Sequence, residues 1–139
     1  MGWLGVTGLL IGVPTLLGAI LFLIQRRLLY PGPYLPLLTL PESLPANIEK
    51  IEYGHGYGLF LNAATHSHDV RPVLIYVHGN AETAWLWSGA FNQIVEAGIS
   101  VLLVEYPGYA GAAGSPSYGS IQATVLDCYD NIVARTDID

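Results

Sequence analysis

The chain opens on an apolar stretch. From Trp3 to Ile24 there are 22 residues without a charge. At about 1.5 Å per residue a helix of that length reaches ~33 Å, enough to cross a hydrocarbon core of about 30 Å. Pro14 and several glycines interrupt the run. Both residue types are tolerated in spanning helices, where neighbours re-satisfy the backbone. Arg26-Arg27 follows on the carboxyl side. Residues 1–27 are therefore expected to form a single-pass transmembrane anchor, with membrane lipid as the partner of residues 3–24. A cleaved signal peptide fits less well, because no Lys or Arg precedes the run and no small-residue cleavage pattern follows it. The positive-inside rule puts the Arg pair, and the globular part behind it, on the cytoplasmic side. Gly8 and Gly12 give a G-x-x-x-G spacing, a possible helix-packing face, but that spacing is common by chance in so Gly-rich a segment. The oligomeric state stays open.

The pattern changes at residue 28. Five prolines (Pro31, Pro33, Pro36, Pro41 and Pro45) stand among leucines. Proline fixes φ and removes a donor, so residues 28–46 read as an extended Pro-rich juxtamembrane linker. Tyr30 and Tyr34 suit the membrane interface. Residues 47–139 read as a partial globular domain. Ile48–Tyr53 alternates apolar and polar side chains, as a half-exposed strand does. Gly54-His55-Gly56 is turn chemistry, and 57–63 reads as a second strand, which together predict an antiparallel hairpin. Val73 to Val77 is a short, continuous apolar run. That pattern predicts a strand buried on both faces of a parallel sheet. Residues 82–97 read as one helix, with Ala84, Leu86, Trp87, Phe91, Ile94 and Val95 at helical spacing and Gly98 at the end. Ser100 to Tyr106 reads as a second parallel strand, completing a βαβ unit of the usual right hand. After a Gly-rich loop from Pro107 to Ser117, residues 118–135 read as an amphipathic helix. Tyr118, Ile121, Val125, Cys128, Tyr129 and Ile132 share its apolar face, and Ser117 is placed to cap it. The fold class is α/β.

Composition narrows the possibilities. Hydrophobic residues make up 52% of the chain and charged residues only 12%, against a usual charged share of about 25%. The apolar excess sits largely in the first 40 residues, which agrees with an anchor. The net charge is −6 and no basic cluster exists beyond Arg26-Arg27, so nucleic acid is not an expected partner. The lone Cys128 cannot form an internal disulfide. On its helix face it reads as a small core residue.

Candidate chemistry gathers where the apolar strand ends in His78-Gly79-Asn80. Glycine there permits a sharp turn and brings backbone N–H groups close to whatever sits at the strand's carboxyl end. Ligands of open α/β sheets bind at that edge. The Gly-rich loop lies at the same edge but lacks the Lys-Ser/Thr of a P-loop and the G-x-G-x-x-G spacing of a dinucleotide site. His66-Ser67-His68-Asp69 lacks the ligand spacing of a zinc hydrolase and reads as a solvated loop. His55 reads as a turn residue. No metal and no cofactor are expected.

Three features then coincide: His78-Gly79-Asn80-Ala81-Glu82 after one strand, Glu105-Tyr106-Pro107-Gly108-Tyr109 after the next, and Gly114-Ser115-Pro116-Ser117 leading into a helix. Together they resemble the α/β-hydrolase superfamily, most closely its membrane-anchored Bem-type and serine-aminopeptidase-like members. The resemblance covers residues 48–135 and implies the amino-terminal half of that fold, a β-hairpin plus parallel βαβα. It implies that the backbone N–H of Asn80 is half of an oxyanion hole. His78, Gly79, Ala81 and Tyr109 would shape the binding site, with Tyr76 beside them and His78 as an orienting residue rather than the base. The family's nucleophile sits in G-x-S-x-G on a later strand. No such motif occurs in these 139 residues. Ser117 follows a glycine loop and cannot stand on a strand-to-helix elbow. The resemblance therefore implies a fragment of a serine hydrolase acting on acyl ester, thioester or amide bonds, inactive by itself, with an acylated or lipid-like substrate in the parent enzyme. Two alternatives are a non-catalytic membrane protein with a hydrolase-like binding domain, and one half of a split enzyme. In the family the nucleophile strand lies beside the central strand; without it, Val73–Val77 is expected to be a bare apolar sheet edge.

Overall fold

The computed structural model describes residues 2–36, 39–63 and 71–138. Helix α1 (Trp3–Leu29) carries Arg26 and Arg27 in its last turn. Its stretch from Gly8 to Leu29 is 22 residues long and apolar enough to cross a membrane. The helix runs two residues past the Arg pair, and the linker is not uniformly extended. Pro31 opens a 3-10 turn over Gly32–Tyr34, since its fixed φ suits the first position of a helical turn.

Four strands follow: β1 (Ile48–Tyr53), β2 (Gly56–Leu61), β3 (Val73–Val77) and β4 (Ser100–Glu105). Their order in the sheet is β1-β2-β4-β3. β1 and β2 form the expected antiparallel hairpin, with Tyr53 opposite Gly56 across the turn. β2 runs antiparallel to β4. β3 and β4 run parallel, from Val73 beside Ser100 to Val77 beside Val104. Between them lie two short helices, α2 (Ala84–Trp87) and α3 (Asn92–Glu96), joined by a 3-10 turn over Ser88–Phe91. The last helix is α4 (Tyr118–Val133).

Strand alternation sorts the core into two layers. Leu59, Leu61, Val101 and Leu103 face Ala84 and Val95 of the short helices. Phe60, Leu102 and Val104 face Cys128 and Ile132 of α4. Burial pushes the Cys128 thiol up to about 12, with Asp127 adding to the effect. That is the environment of an inert core thiol.

Three expectations need correction. The Val73–Val77 run is not buried on both faces: Leu74 and Val77 remain 38% and 46% exposed. β3 lies at the sheet edge, as expected, but its faces are only partly covered, and the doubly buried parallel strand is β4. The helix expected over residues 82–97 is broken in two. Thr83 caps α2 by accepting from the Leu86 amide, and the turn containing Gly89, a poor helix former, interrupts it; Leu86 faces outward. On α4 the buried seam is Thr124, Cys128 and Ile132. Tyr118 and Tyr129, expected on that face, are 76% and 52% exposed. The Ser117 cap is present as a full capping box with Ser120.

Candidate active site

The parallel register of β3 and β4 brings the two strand ends side by side. His78 and Glu105, each one step beyond the last β3–β4 pair, meet there. The His78 ring nitrogen Nε2 lies 2.9 Å from Glu105 Oε1, and both side chains are fully buried. The Glu105 carboxylate also accepts from the Tyr106 amide at 3.2 Å and from the Ala84 amide at 2.8 Å. One buried carboxylate thus ties the end of β4 to the imidazole after β3 and to the first turn of α2. A buried carboxylate is tolerable only with such partners. The other ring nitrogen, Nδ1, donates to the Gly79 carbonyl at 2.9 Å. Both nitrogens of His78 are therefore occupied within the turn.

The turn itself is held from three sides. The Gly79 amide donates to Glu82 Oε2 at 2.8 Å, and the Trp87 indole donates to the same oxygen at 2.9 Å. Those two donors hold the Glu82 carboxyl below its usual range, the Gly79 amide contributing most. The Tyr106 hydroxyl donates to the His78 carbonyl at 2.8 Å. Burial, reinforced by Glu105, raises that hydroxyl to about 12, so it stays a donor at neutral pH. The Tyr109 hydroxyl donates to Asn80 Oδ1 at 3.2 Å, and burial raises it too. Asn80 Oδ1 also accepts from the Ala81 amide at 3.1 Å. Ala81 sits at φ +60°, a left-handed conformation rare for a residue with a Cβ. Among the described residues no hydrogen bond involves the Asn80 backbone N–H, and Asn80 is exposed.

A cavity of about 240 Å³ opens here, lined by His78, Gly79, Asn80, Tyr106 and Tyr109, with Leu29 and Tyr30 from the end of α1 and Ile121 from α4. Of the residues expected to shape the site, His78, Gly79, Asn80 and Tyr109 come together. Ala81 supplies strain and a hydrogen bond but does not line the cavity. Tyr76 points to the other layer, where its ring meets Trp87 at 5.2 Å and Phe91 at 4.9 Å. Ser117 lies in the α4 cap, bonded to Ser120. His66, Ser67, His68 and Asp69 lie outside the described residues. Among the described residues no group of three or more His, Cys, Asp or Glu could hold a metal ion, and none pairs a serine or cysteine with a histidine.

Sequence reasoning missed two contributors. Glu105 is the first charged residue after an apolar strand core, and a carboxylate in that position signals a buried partner. Gly32 escaped notice altogether. A Cβ there would overlap the Tyr109 ring, so glycine lets the linker lie directly on the residue that holds Asn80.

No family model matches the chain, and no curated protein matches it. Among solved structures it is similar to an α/β hydrolase from Vibrio vulnificus, with 20% identity and a TM-score of 0.49, over 68% of this chain and 32% of that one. It is also similar to a lid-less α/β serine hydrolase from Xanthomonas campestris, with 17% identity and a TM-score of 0.47, over 73% of this chain and 50% of that one. The chain thus spans about a third of the first and half of the second. The four-stranded mixed sheet, with the short helices on one face and α4 on the other, makes the fold class α/β.

Proposed function

We infer that this chain is the oxyanion-hole half of a membrane-anchored serine hydrolase of the Bem-type or serine-aminopeptidase-like kind. Its reaction is acyl transfer to water from an ester, thioester or amide. The observation that carries the reading is the Asn80 N–H, on an exposed residue just past the carboxyl end of β3 and without a hydrogen-bond partner among the described residues. A preorganised donor at a strand's carboxyl end is what a tetrahedral oxyanion requires, and removing one such donor costs about 3–4 kcal/mol of transition-state stabilisation. His78 and Glu105 position that turn. The nucleophile, its base and its acid come from a segment outside residues 1–139. A strand that pairs with the open edge of β3 would bring the nucleophile next to Asn80, and the amide following the nucleophile would be the second donor. The serine oxygen then bonds to the carbonyl carbon, its proton passes to the base, and the carbonyl electrons move onto the oxygen facing Asn80. Collapse of that intermediate expels the leaving group with the proton and leaves the acyl group on the serine; water then attacks that ester, giving its proton to the base, and the serine leaves with the proton as the acid is released.

Sequencing the message and genomic DNA beyond codon 139 tests this. The reading predicts an apolar strand and G-x-S-x-G within roughly 20 codons, a short loop plus one strand. A confirmed stop, with no co-purifying chain that carries the nucleophile, would overturn it in favour of a binding role.

A further inference from the structure

Three cavities meet at one side chain. Tyr30, the first residue after α1, lines the oxyanion cavity. It also lines an almost wholly apolar groove of about 360 Å³, walled on the other side by Tyr118, Ile121, Gln122, Val125 and Leu126 of α4. Finally it lines a polar cavity of about 440 Å³ that holds Arg26 and the loop segment Gly114, Ser115 and Pro116. The three cavities differ in chemistry. The groove offers aliphatic and aromatic walls. The middle cavity is lined by Asn80, whose N–H has no hydrogen-bond partner among the described residues. The polar cavity offers a guanidinium that donates to the Pro116 carbonyl at 3.2 Å and has further donors to give.

All three also sit at the end of Gly8–Leu29, the stretch long and apolar enough to cross a membrane. Arg26 and Leu29 belong to that stretch, so the helix that would lie in lipid itself forms part of the walls. A soluble metabolite has no use for a groove that starts at a bilayer. A lipid does, because its acyl chain can pass sideways from the leaflet without crossing water.

Resting on the hydrolase reading, we propose that the site takes a phospholipid-like acyl ester directly from the leaflet. One acyl chain lies in the groove between Tyr30 and α4, its carbonyl faces the Asn80 N–H, and an anionic headgroup lies against Arg26. The groove holds about a dozen methylene-sized groups at about 30 Å³ each, the volume of a water molecule. The guanidinium fork suits a phosphate. Tyr30 is the hinge of the arrangement, separating the three compartments.

The full 139-residue chain, reconstituted in phosphatidylcholine vesicles doped with phosphatidylglycerol carrying a diazirine on its acyl chain, tests this without any need for turnover. Illumination and peptide mapping are expected to place adducts on Tyr30 and on Tyr118–Leu126, besides those on α1. Gln122→Trp, a change at an exposed position that fills the groove, is expected to remove the α4 adducts and spare those on α1. Arg26→Gln is expected to lower α4 labelling several-fold, and the remaining signal should no longer depend on headgroup charge. Labelling of α4 no greater than at Ala123 and Asp127 on its polar side would overturn the proposal. So would α4 labelling indifferent to both substitutions. Because the readout is binding, groove labelling combined with a confirmed absence of any nucleophile would sink the hydrolase reading alone. A nucleophile found without groove labelling would sink only the lipid site.

Discussion

β3 and β4 are built from nearly the same apolar residues, run parallel, and end at the same sheet edge, yet they live in opposite environments. β4 lies between β2 and β3 and every one of its residues is buried. β3 has a neighbour on one side only, and two of its five residues are exposed. Their ends differ in the same sense. At the end of β4, Glu105 spends its carboxylate on three partners inside the protein. After β3, the turn leaves the Asn80 N–H uncommitted among the described residues. β4 is scaffold, and β3 with its turn is the working edge. An apolar run specifies how much surface a strand can bury; its place in the sheet decides how much it does bury. A bare apolar edge is also a template for another strand, and the proposed nucleophile strand uses it.

The largest effect is expected from breaking the link between the two strand ends. Glu105→Ala strands the His78 ring and the Ala84 and Tyr106 amides without their acceptor, and is expected to cost about 3–5 kcal/mol in chemical denaturation. The core difference between the strands comes next. Leu103→Ala in β4 is expected to cost about 2–5 kcal/mol, whereas Leu74→Ala at the edge is expected to cost about 1 kcal/mol or less. Equal losses would mean that the β3 edge is covered in solution.

Gly32→Ala probes how the linker supports the working edge. The new methyl must displace the Tyr109 ring, with an expected loss of about 1–3 kcal/mol. Faster exchange of the Ala81 amide should accompany it, since Tyr109 steadies the Asn80 side chain that this amide binds. The smallest effect concerns pH. Glu82 has a lowered pKa in the folded chain, so its support of the turn is present above the ordinary value of 4.5 and is lost as pH falls through the lower folded value. The protection of the Gly79 amide, relative to its intrinsic exchange rate, should therefore fall on acidification through that window, and Glu82→Gln should abolish that change in protection.

Much of this was legible in the residues. The hairpin, the parallel pair, the Ser117 cap and the His78-Gly79-Asn80 turn all have local causes: alternation, β-branching, a capping serine, and glycine at a strand end. The long apolar amino-terminal helix was equally plain. What escaped depends on position in three dimensions. Two apolar runs look alike in sequence, and neither spacing nor composition shows that the faces of β3 are only partly covered while those of β4 are buried. The apolar arc of α4 is wider than the seam it buries, so spacing alone did not separate Thr124 from Tyr118 and Tyr129. Glu105 and Gly32 matter through partners 27 and 77 residues away, at a range no local pattern reports.

The most direct test of the central claim is labelling with a fluorophosphonate probe in native membranes, followed by chemical cross-linking from residues 73–80. The account predicts one labelled serine, within G-x-S-x-G, on a strand cross-linked to the β3 edge, either in the same polypeptide or in a tightly held partner. A 139-residue chain that folds cooperatively in those membranes, with no labelled serine within reach of β3, would contradict it.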